Sequence, residues 1–419
     1  MTVQTNRRAI LLGLGILIGA ALRIWMLFYM GVFDMEAYYT WAKHVLNEGV
    51  TGYYPGVYYP LQMQIFEACG WIVAKFGVPF FIIFKLANLL FDLGSLIILL
   101  LLLKRQKANP AYALFYWLHP WFLTVFALGY VDFQFTFFIL LCLWLIGAGT
   151  TRNYLAAGIP LAAAFLMKPQ TQILIVAVFL FALFRFFKRR DSRPFALLFA
   201  PVILFLSYEI WFTLSAAPGE SAPALILPLS YVNVTNIMPA LTAQMPNIWT
   251  PIAFLLRAPG QPIILVSDQI LLFSVIPIKY LAAAAVLMSV GLHGWRVERA
   301  TAIPPDKSFA VSFLFASLAV PFLMTSGHEN HLFLATVLLI PLMCELPRYA
   351  KAASQVLIFV QFLNVYVLYG QGPHWLMNLF EKIRVDETML VFSLISIVCF
   401  ALVAKPLWSR RIQPLAGPA

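Results

Sequence analysis

Apolar runs close to the roughly 20 residues that cross a bilayer as a helix recur along the whole chain, separated by short linkers that carry most of the Lys and Arg. They lie near 9–29, 79–103, 111–128, 131–149, 154–167, 171–187, 195–216, 269–292, 308–326, 332–347, 353–370 and 389–404. Only 11% of the residues are charged and 62% are hydrophobic, where a soluble domain carries about 25% charged residues. A water-soluble enzyme is thereby excluded, and the absence of residue-by-residue alternation excludes an outer-membrane barrel. The expected fold is all-α: a polytopic membrane protein of about twelve transmembrane helices forming one integral-membrane domain over 1–419. The run 154–167 is short for a bilayer, and 60–77 is apolar enough to be mistaken for a further span.

The net charge of +11 would suit nucleic acid. Its basic residues fall in short clusters between apolar runs, however, which membrane orientation explains more simply, so no nucleic-acid partner is expected. Cys69, Cys142, Cys344 and Cys399 are scattered and indicate neither zinc nor a disulfide framework. Arg7 and Arg8 precede a run longer than a signal peptide's core of about 7–15 residues, so 9–29 reads as an uncleaved first span.

Lys and Arg gather on the cytoplasmic side. If the chain starts inside, alternate junctions hold Arg7 and Arg8; Lys104, Arg105 and Lys107; Arg152; Lys188, Arg189, Arg190 and Arg193; Arg296, Arg299 and Lys307; Arg348 and Lys351; and Lys405, Arg410 and Arg411. The opposite junctions hold only Lys43, Lys168, Arg257, Lys382 and Arg384. Both termini are therefore expected in the cytoplasm. The three long connections, 31–78, 217–268 and 371–388, are expected on the outer face with any chemistry. The first has no counterpart in the second half, which weighs against a transporter built from two matching halves.

The first long connection opens FDMEAYYTWAKHVLNEG. Met35, Tyr38, Trp41, Ala42, Val45 and Leu46 recur at helical spacing against Glu36, Thr40, Lys43 and Asn47, which predicts an amphipathic helix lying on the membrane. Asp34 and Glu36 then stand where the first span emerges. Either carboxylate could serve as a general base there, or merely cap the helix start. GYYPGVYYPLQMQ follows, a turn presenting Tyr59 and its neighbours, or an interfacial aromatic belt without chemistry. Asp132 and Gln134 in GYVDFQF, Lys168 in MKPQTQ, and His328, Glu329 and His331 in SGHENHLF sit where apolar runs meet the same face. Ionisable groups at that depth are costly unless paired or used. HENH is the strongest single signal and is not a zinc-type HExxH, because its histidines are three apart. Asn247 and Trp249 in PNIWTP are weak signals by themselves, and nothing is built on the sequon at Asn233.

Taken in order, these segments resemble the GT-C superfamily of polytopic glycosyltransferases, most closely the dolichyl-phosphate-glucose-dependent glucosyltransferases of N-glycan precursor assembly. FDMEA is similar to that family's GD(F/Y)EA segment, YYPLQ to YPPLT, and HPWFLTVFALGYVDFQF to HP…GHFQYN. MKPQ is similar to FKQ, PNIW to ANFW, and HENHLFLATVLLIP to HEKSILL…P. The departures are Phe33 for the glycine, Leu61 for the second proline, Asp132 at the His position and Asn330 for the lysine of HEK. The last removes a cation near the donor phosphate, for which His331 is the nearest replacement.

The resemblance implies a GT-C fold, with amphipathic helices in the long first outer loop. It implies inverting transfer of a hexose, glucose or mannose, from a polyprenyl-phosphate donor to a lipid-linked or membrane-associated acceptor. The setting is the plasma membrane in a prokaryote or the endoplasmic reticulum in a eukaryote, with the active site on the outer or lumenal face. Asp34 would be the catalytic base. His328, His331 and Lys168 would face the donor phosphate, with Glu329 orienting a histidine. Tyr59, Gln134 and Trp249 would contact substrate, and Asp132, Glu36 and Asn247 complete the candidate set. No metal or other cofactor is expected, and the protein is expected to act as a monomer among membrane lipids. The competing class is a multi-pass lipid or solute transporter, for which buried ionisable residues are equally natural. It predicts that Asp34 is replaceable if transport persists.

Overall fold

The computed structural model describes residues 3–31, 33–54, 56–168, 171–215, 227, 239–272, 274–299, 304–369 and 385–408. Parts of the long connections 217–268 and 371–388, with Asn233, lie outside them. The described chain is predominantly helical and falls into two compact units, one formed by Met1–Gln172 with Phe195–Val234 and the other by Ile173–Pro194 with Thr235–Ala419.

The first unit contains α1 (Val3–Met26), α2 (Phe33–Gly52), α3 (Pro60–Phe76), α4 (Phe80–Arg105), α5 (Ala111–Leu118), α6 (Pro120–Leu128), α7 (Asp132–Ile146), α8 (Thr151–Phe165) and α10 (Phe199–Ser215). The second contains α9 (Gln172–Arg189, apart from its first residue), α11 (Trp249–Leu256), α12 (Ile278–Arg299), α13 (Pro305–Leu323), α14 (Phe333–Leu342), α15 (Arg348–Tyr369) and α16 (Val385–Trp408). Among the described residues, seven segments are long and apolar enough to cross a membrane, and α5 with α6 forms an eighth if a bent pair counts as one span. The protein is thus an all-α integral membrane protein.

Every one of the twelve apolar runs contains a helix, but several differ from a simple span. Residues 111–128 break by 43° between α5 and α6. Pro120 has no amide hydrogen and holds the preceding His119 in extended geometry, φ −68° and ψ 134°. His119 then caps α6, its Nδ1 accepting from the Trp121 amide at 3.2 Å. Helices α7 and α8, with 15 residues each, and α14, with 10, are shorter than a straight crossing requires. Near 269–292 the chain first pairs Leu271 with Pro277 and Leu272 with Ile276 in a small antiparallel hairpin. Its spanning helix α12 starts only at Ile278 and runs on to Arg299.

The amphipathic stripe of α2 is present, yet it faces protein. Met35, Tyr38, Ala42 and Val45 are buried in a cluster with Met63 and Phe66 of α3 and Phe80 and Phe84 of α4. Glu36, Thr40, Lys43 and Asn47 are exposed. The same burial that was expected from lipid is supplied by neighbouring helices, whose aromatic faces the periodicity of α2 alone does not reveal. Residues 60–77 form α3, which is not among the spanning helices.

Buried charge inside the spanning helices is consumed by pairing. Arg23 of α1 donates to Asp92 of α4 and to the Trp117 carbonyl at 2.7 Å, and its guanidinium lies 3.6 Å from the centre of the Trp117 ring. Tyr116 donates to the same Asp92. A Cβ at Gly19 would sit 2.2 Å from the Trp117 ring, so the glycine is what lets α5 approach α1 this closely. Lys85 of α4 donates to the Met26 and Tyr29 carbonyls and so occupies the carbonyl-rich end of α1. In the second unit Glu298 of α12 accepts from Arg185 of α9 at 3.4 Å and from Ser308 of α13.

Candidate functional site

The residues singled out in the sequence divide between the two units. Asp34, Glu36, Tyr59, Asp132, Gln134 and Lys168 belong to the first; Asn247, Trp249, His328, Glu329 and His331 belong to the second.

In the first unit the site is built where α1 ends and α2 begins. The connecting turn passes Gly31 at φ +97°, where a Cβ would lie 2.7 Å from the Leu128 carbonyl oxygen. Gly129, at φ +82°, is equally constrained: a Cβ there would meet the Met35 methyl at 2.2 Å. These two glycines allow the start of α2 to sit against the α6–α7 junction, which carries Asp132. Asp34 is partly buried in the first turn of α2, where the helix dipole favours a carboxylate. Glu36, two residues on, faces outward and is exposed.

One turn after Asp34 stands Tyr38, whose hydroxyl is 3.0 Å from that of Tyr58. Burial, then the neighbouring Tyr58 and the charges of Asp34 and Asp132, push the Tyr38 phenol well above its ordinary pKa. Tyr38 therefore stays protonated, a neutral hydroxyl within electrostatic reach of both acids. Sequence periodicity assigned it to an apolar stripe; its position four residues after Asp34 was the available clue to a second role.

Asp132 opens α7 and is buried against Lys168, whose ammonium lies 3.1 and 3.3 Å from its two carboxylate oxygens. The chain around Lys168 is tied to the first connection by backbone hydrogen bonds, from the Tyr59 amide to Met167 O and from the Leu61 amide to Leu166 O, both 3.1 Å. Tyr59 is itself buried at the start of α3. Gln134 donates to Asn88 Oδ1 at 2.7 Å, and Asn88 donates to the Tyr130 carbonyl at 2.9 Å, so Gln134 ties α7 to α4.

In the second unit the HENH segment is a short connection between α13 and α14, lying against residues 240–247. The Ala243 and Met245 amides both donate to Gly327 O, at 3.0 and 3.1 Å, and the Ser326 amide donates to Ala240 O at 2.9 Å. Asn247 donates through Nδ2 to the Pro321 and Met324 carbonyls, at 3.1 and 3.4 Å, while Trp249 donates from its indole to Leu323 O at 2.8 Å. These are carbonyls that the end of an α-helix leaves without intrahelical partners. The Asn247 carboxamide is thus committed to the scaffold that presents HENH. Asp268, which sequence reasoning did not single out, accepts from Thr325 and Ser326 at 2.9 and 3.4 Å and anchors the segment from its other side.

His328 is partly open, with 40% of its side chain exposed, whereas Glu329 is buried. Glu329 accepts from Tyr369 of α15 at 2.6 Å and lies 4.0 Å from His328 Nδ1. His331 accepts the His328 amide through Nδ1 at 3.2 Å, and the two rings meet edge to face at 5.1 Å. The segment therefore offers two imidazoles, one steered by a buried carboxylate. Nothing in the sequence marked Tyr369, 40 residues away. Among the described residues no group of three or more His, Cys, Asp or Glu side chains could hold a metal ion.

No family model, curated protein or solved structure matches the chain.

Proposed function

We propose that this protein is a GT-C-type membrane glycosyltransferase. It moves a glucose or mannose from a polyprenyl-phosphate carrier to a lipid-linked or membrane-associated acceptor on the non-cytoplasmic face, with both termini in the cytoplasm. The observation that supports this reading best is Asp34. It is an acid delivered by a glycine turn directly after the first spanning helix, accessible enough to receive a substrate and grouped with Tyr38, Tyr58, Asp132 and Lys168.

In the proposed reaction an acceptor hydroxyl attacks the anomeric carbon from the face opposite the phosphate. The new glycosidic C–O bond forms as the bond to the phosphate oxygen breaks. Asp34 takes the hydroxyl proton, and the electron pair leaves with the polyprenyl phosphate. Donors fixed in advance around that leaving group stabilise its growing charge. Lys168 is largely neutralised by Asp132; the resemblance to GT-C transferases assigns this role to His328 and His331 as well. Glu329, held by Tyr369, stands beside His328 and orients it. Glu36, facing outward, has no part in this scheme. Asn247 and Trp249 act by holding the segment that carries the histidines.

Pairing of Arg23 with Asp92 accounts for intramembrane charge without a transport path. The test is transfer from radiolabelled polyprenyl-phosphate-glucose or -mannose to a native lipid extract, using purified protein with and without chelator. Label in a new lipid, lost in a folded Asp34→Asn variant, supports the reading and names the sugar. Full activity of Asp34→Asn would exclude Asp34 as the base.

A further inference from the structure

Helices α2 and α3 run side by side in the same direction. Tyr38 stacks on Phe66, with ring centroids 4.9 Å apart. One turn further along both helices, a Cβ added to Gly70 would lie 3.2 Å from the Ala42 carbonyl. The intervening chain returns along α2, placing Tyr53 on His44 and Tyr58 against Trp41, with ring centroids 4.5 and 5.7 Å apart. Residues four apart share a helix face. Carried one turn back, the register that pairs 38 with 66 and 42 with 70 sets Gln62 at the level of Asp34.

Gln62 is completely buried, and among the described residues neither its carboxamide oxygen nor its nitrogen has a hydrogen-bond partner. Buried side-chain amides are nearly always satisfied, because leaving them unmade forfeits their hydration without compensation. An amide unsatisfied at both ends needs a partner that donates as well as accepts. A phosphate oxygen can only accept; a sugar hydroxyl does both. The amides of Tyr59 and Leu61 hold this start of α3 to Met167 and Leu166, beside the Lys168–Asp132 pair.

We propose that Gln62 is a sugar-binding residue whose carboxamide hydrogen-bonds the ring hydroxyls of a hexose held at the level of Asp34. The proposal rests on the glycosyltransferase reading and adds to it the contact that selects a hexose. It also carries a stability signature: in the ligand-free protein an apolar side chain of similar size fills this buried position at least as well as the amide does.

The test compares full-length wild type with Gln62→Met and Gln62→Leu in detergent. Each is titrated with polyprenyl-phosphate-glucose, polyprenyl-phosphate-mannose and bare polyprenyl phosphate, and each is assayed with a native lipid extract. Without ligand, both variants should melt at or above the wild-type temperature. If the hexose belongs to the donor, the wild type should bind one hexosyl carrier more tightly than the bare one, and the variants should lose about tenfold of that preference while binding bare carrier normally. If it belongs to the acceptor, donor binding should be unchanged and the KM for the lipid extract should rise by about tenfold. Variants that keep the wild type's donor preference and acceptor KM overturn the proposal, whether or not their melting temperature falls. A wild type that transfers nothing and prefers no hexosyl carrier overturns the transferase reading itself, and it is seen before any variant is compared.

Discussion

Lys168 and Asp132 form a buried ion pair, the ammonium 3.1 and 3.3 Å from the two oxygens of the carboxylate, with both side chains almost wholly removed from solvent. Two residues that the sequence offers as separate candidates are thus one electrostatic unit. Removing one partner strands the other's charge in a low-dielectric site, whereas removing both does not. Lys168→Met should therefore destabilise the protein by about 3–5 kcal/mol, read as a fall in melting temperature in detergent. The Asp132→Asn/Lys168→Met double variant should recover most of it. A double variant no more stable than Lys168→Met would show that the pair does not hold this part of the unit together.

Asp34 and Glu36 stand two positions apart, the first partly buried and the second exposed. Asp34→Asn should reduce transfer by about 10²–10⁴-fold, the range for loss of a positioned general base, with an unchanged melting temperature. Glu36→Gln should leave both rate and stability close to wild type, because surface changes away from special features stay within about 0.5 kcal/mol. Equal losses in the two variants would remove the distinction drawn between them.

The Tyr38 phenol titrates well above the ordinary tyrosine value of 10.0 because it is buried beside Tyr58, Asp34 and Asp132. Below that ordinary value both folded and unfolded chains hold the proton, so its contribution to stability is fully present. As pH rises past it the unfolded chain ionises first and the contribution is lost progressively. Melting temperature should accordingly fall more steeply above pH 10 in wild type than in Tyr38→Phe. Parallel curves would mean that Tyr38 is not the group responsible.

Gly31 combines φ +97° with a Cβ position 2.7 Å from the Leu128 carbonyl. Gly31→Ala meets both the backbone penalty and the clash, and should cost about 1–3 kcal/mol while moving Asp34 away from its place. Melting temperature and transfer rate should fall together. An alanine variant with wild-type values in both would show that the turn can relax without disturbing α2.

Asn247 donates to the Pro321 and Met324 carbonyls at the end of α13. Asn247→Ala should lower stability by about 1–3 kcal/mol, the cost of leaving buried carbonyls unmet. In whatever fraction folds, the donor KM should be little changed. A rise in KM with an unchanged melting temperature would instead place Asn247 against substrate.

Much of the architecture is legible from hydropathy alone, since a helix is the one open-ended structure that satisfies its own backbone in lipid. The twelve apolar runs accordingly all contain helix. The bend at Pro120 was not drawn from the sequence, where 111–128 stood as one run, although a proline removes a donor and constrains its predecessor. The shift of the 269–292 span to α12 was not legible either: Leu271, Leu272 and Ile276 are as apolar as a helix requires, and only their cross-strand pairing takes them out of it.

What the sequence by itself determined is the membrane class, the placement of Asp34 at the head of α2 and the amphipathic period of that helix. These depend on spacing within a single segment. The tertiary structure decided what that period faces, which is α3 and α4, and which charges neutralise one another, as Lys168 does with Asp132. It also decided that Asn247 is spent on the end of α13, that Tyr369 reaches Glu329, and that Gln62 has no amide partner among the described residues. Each of these joins side chains distant in the chain, and a hydrogen bond or ion pair depends on distances of a few ångströms in space. Sequence spacing encodes such distances only along one helix.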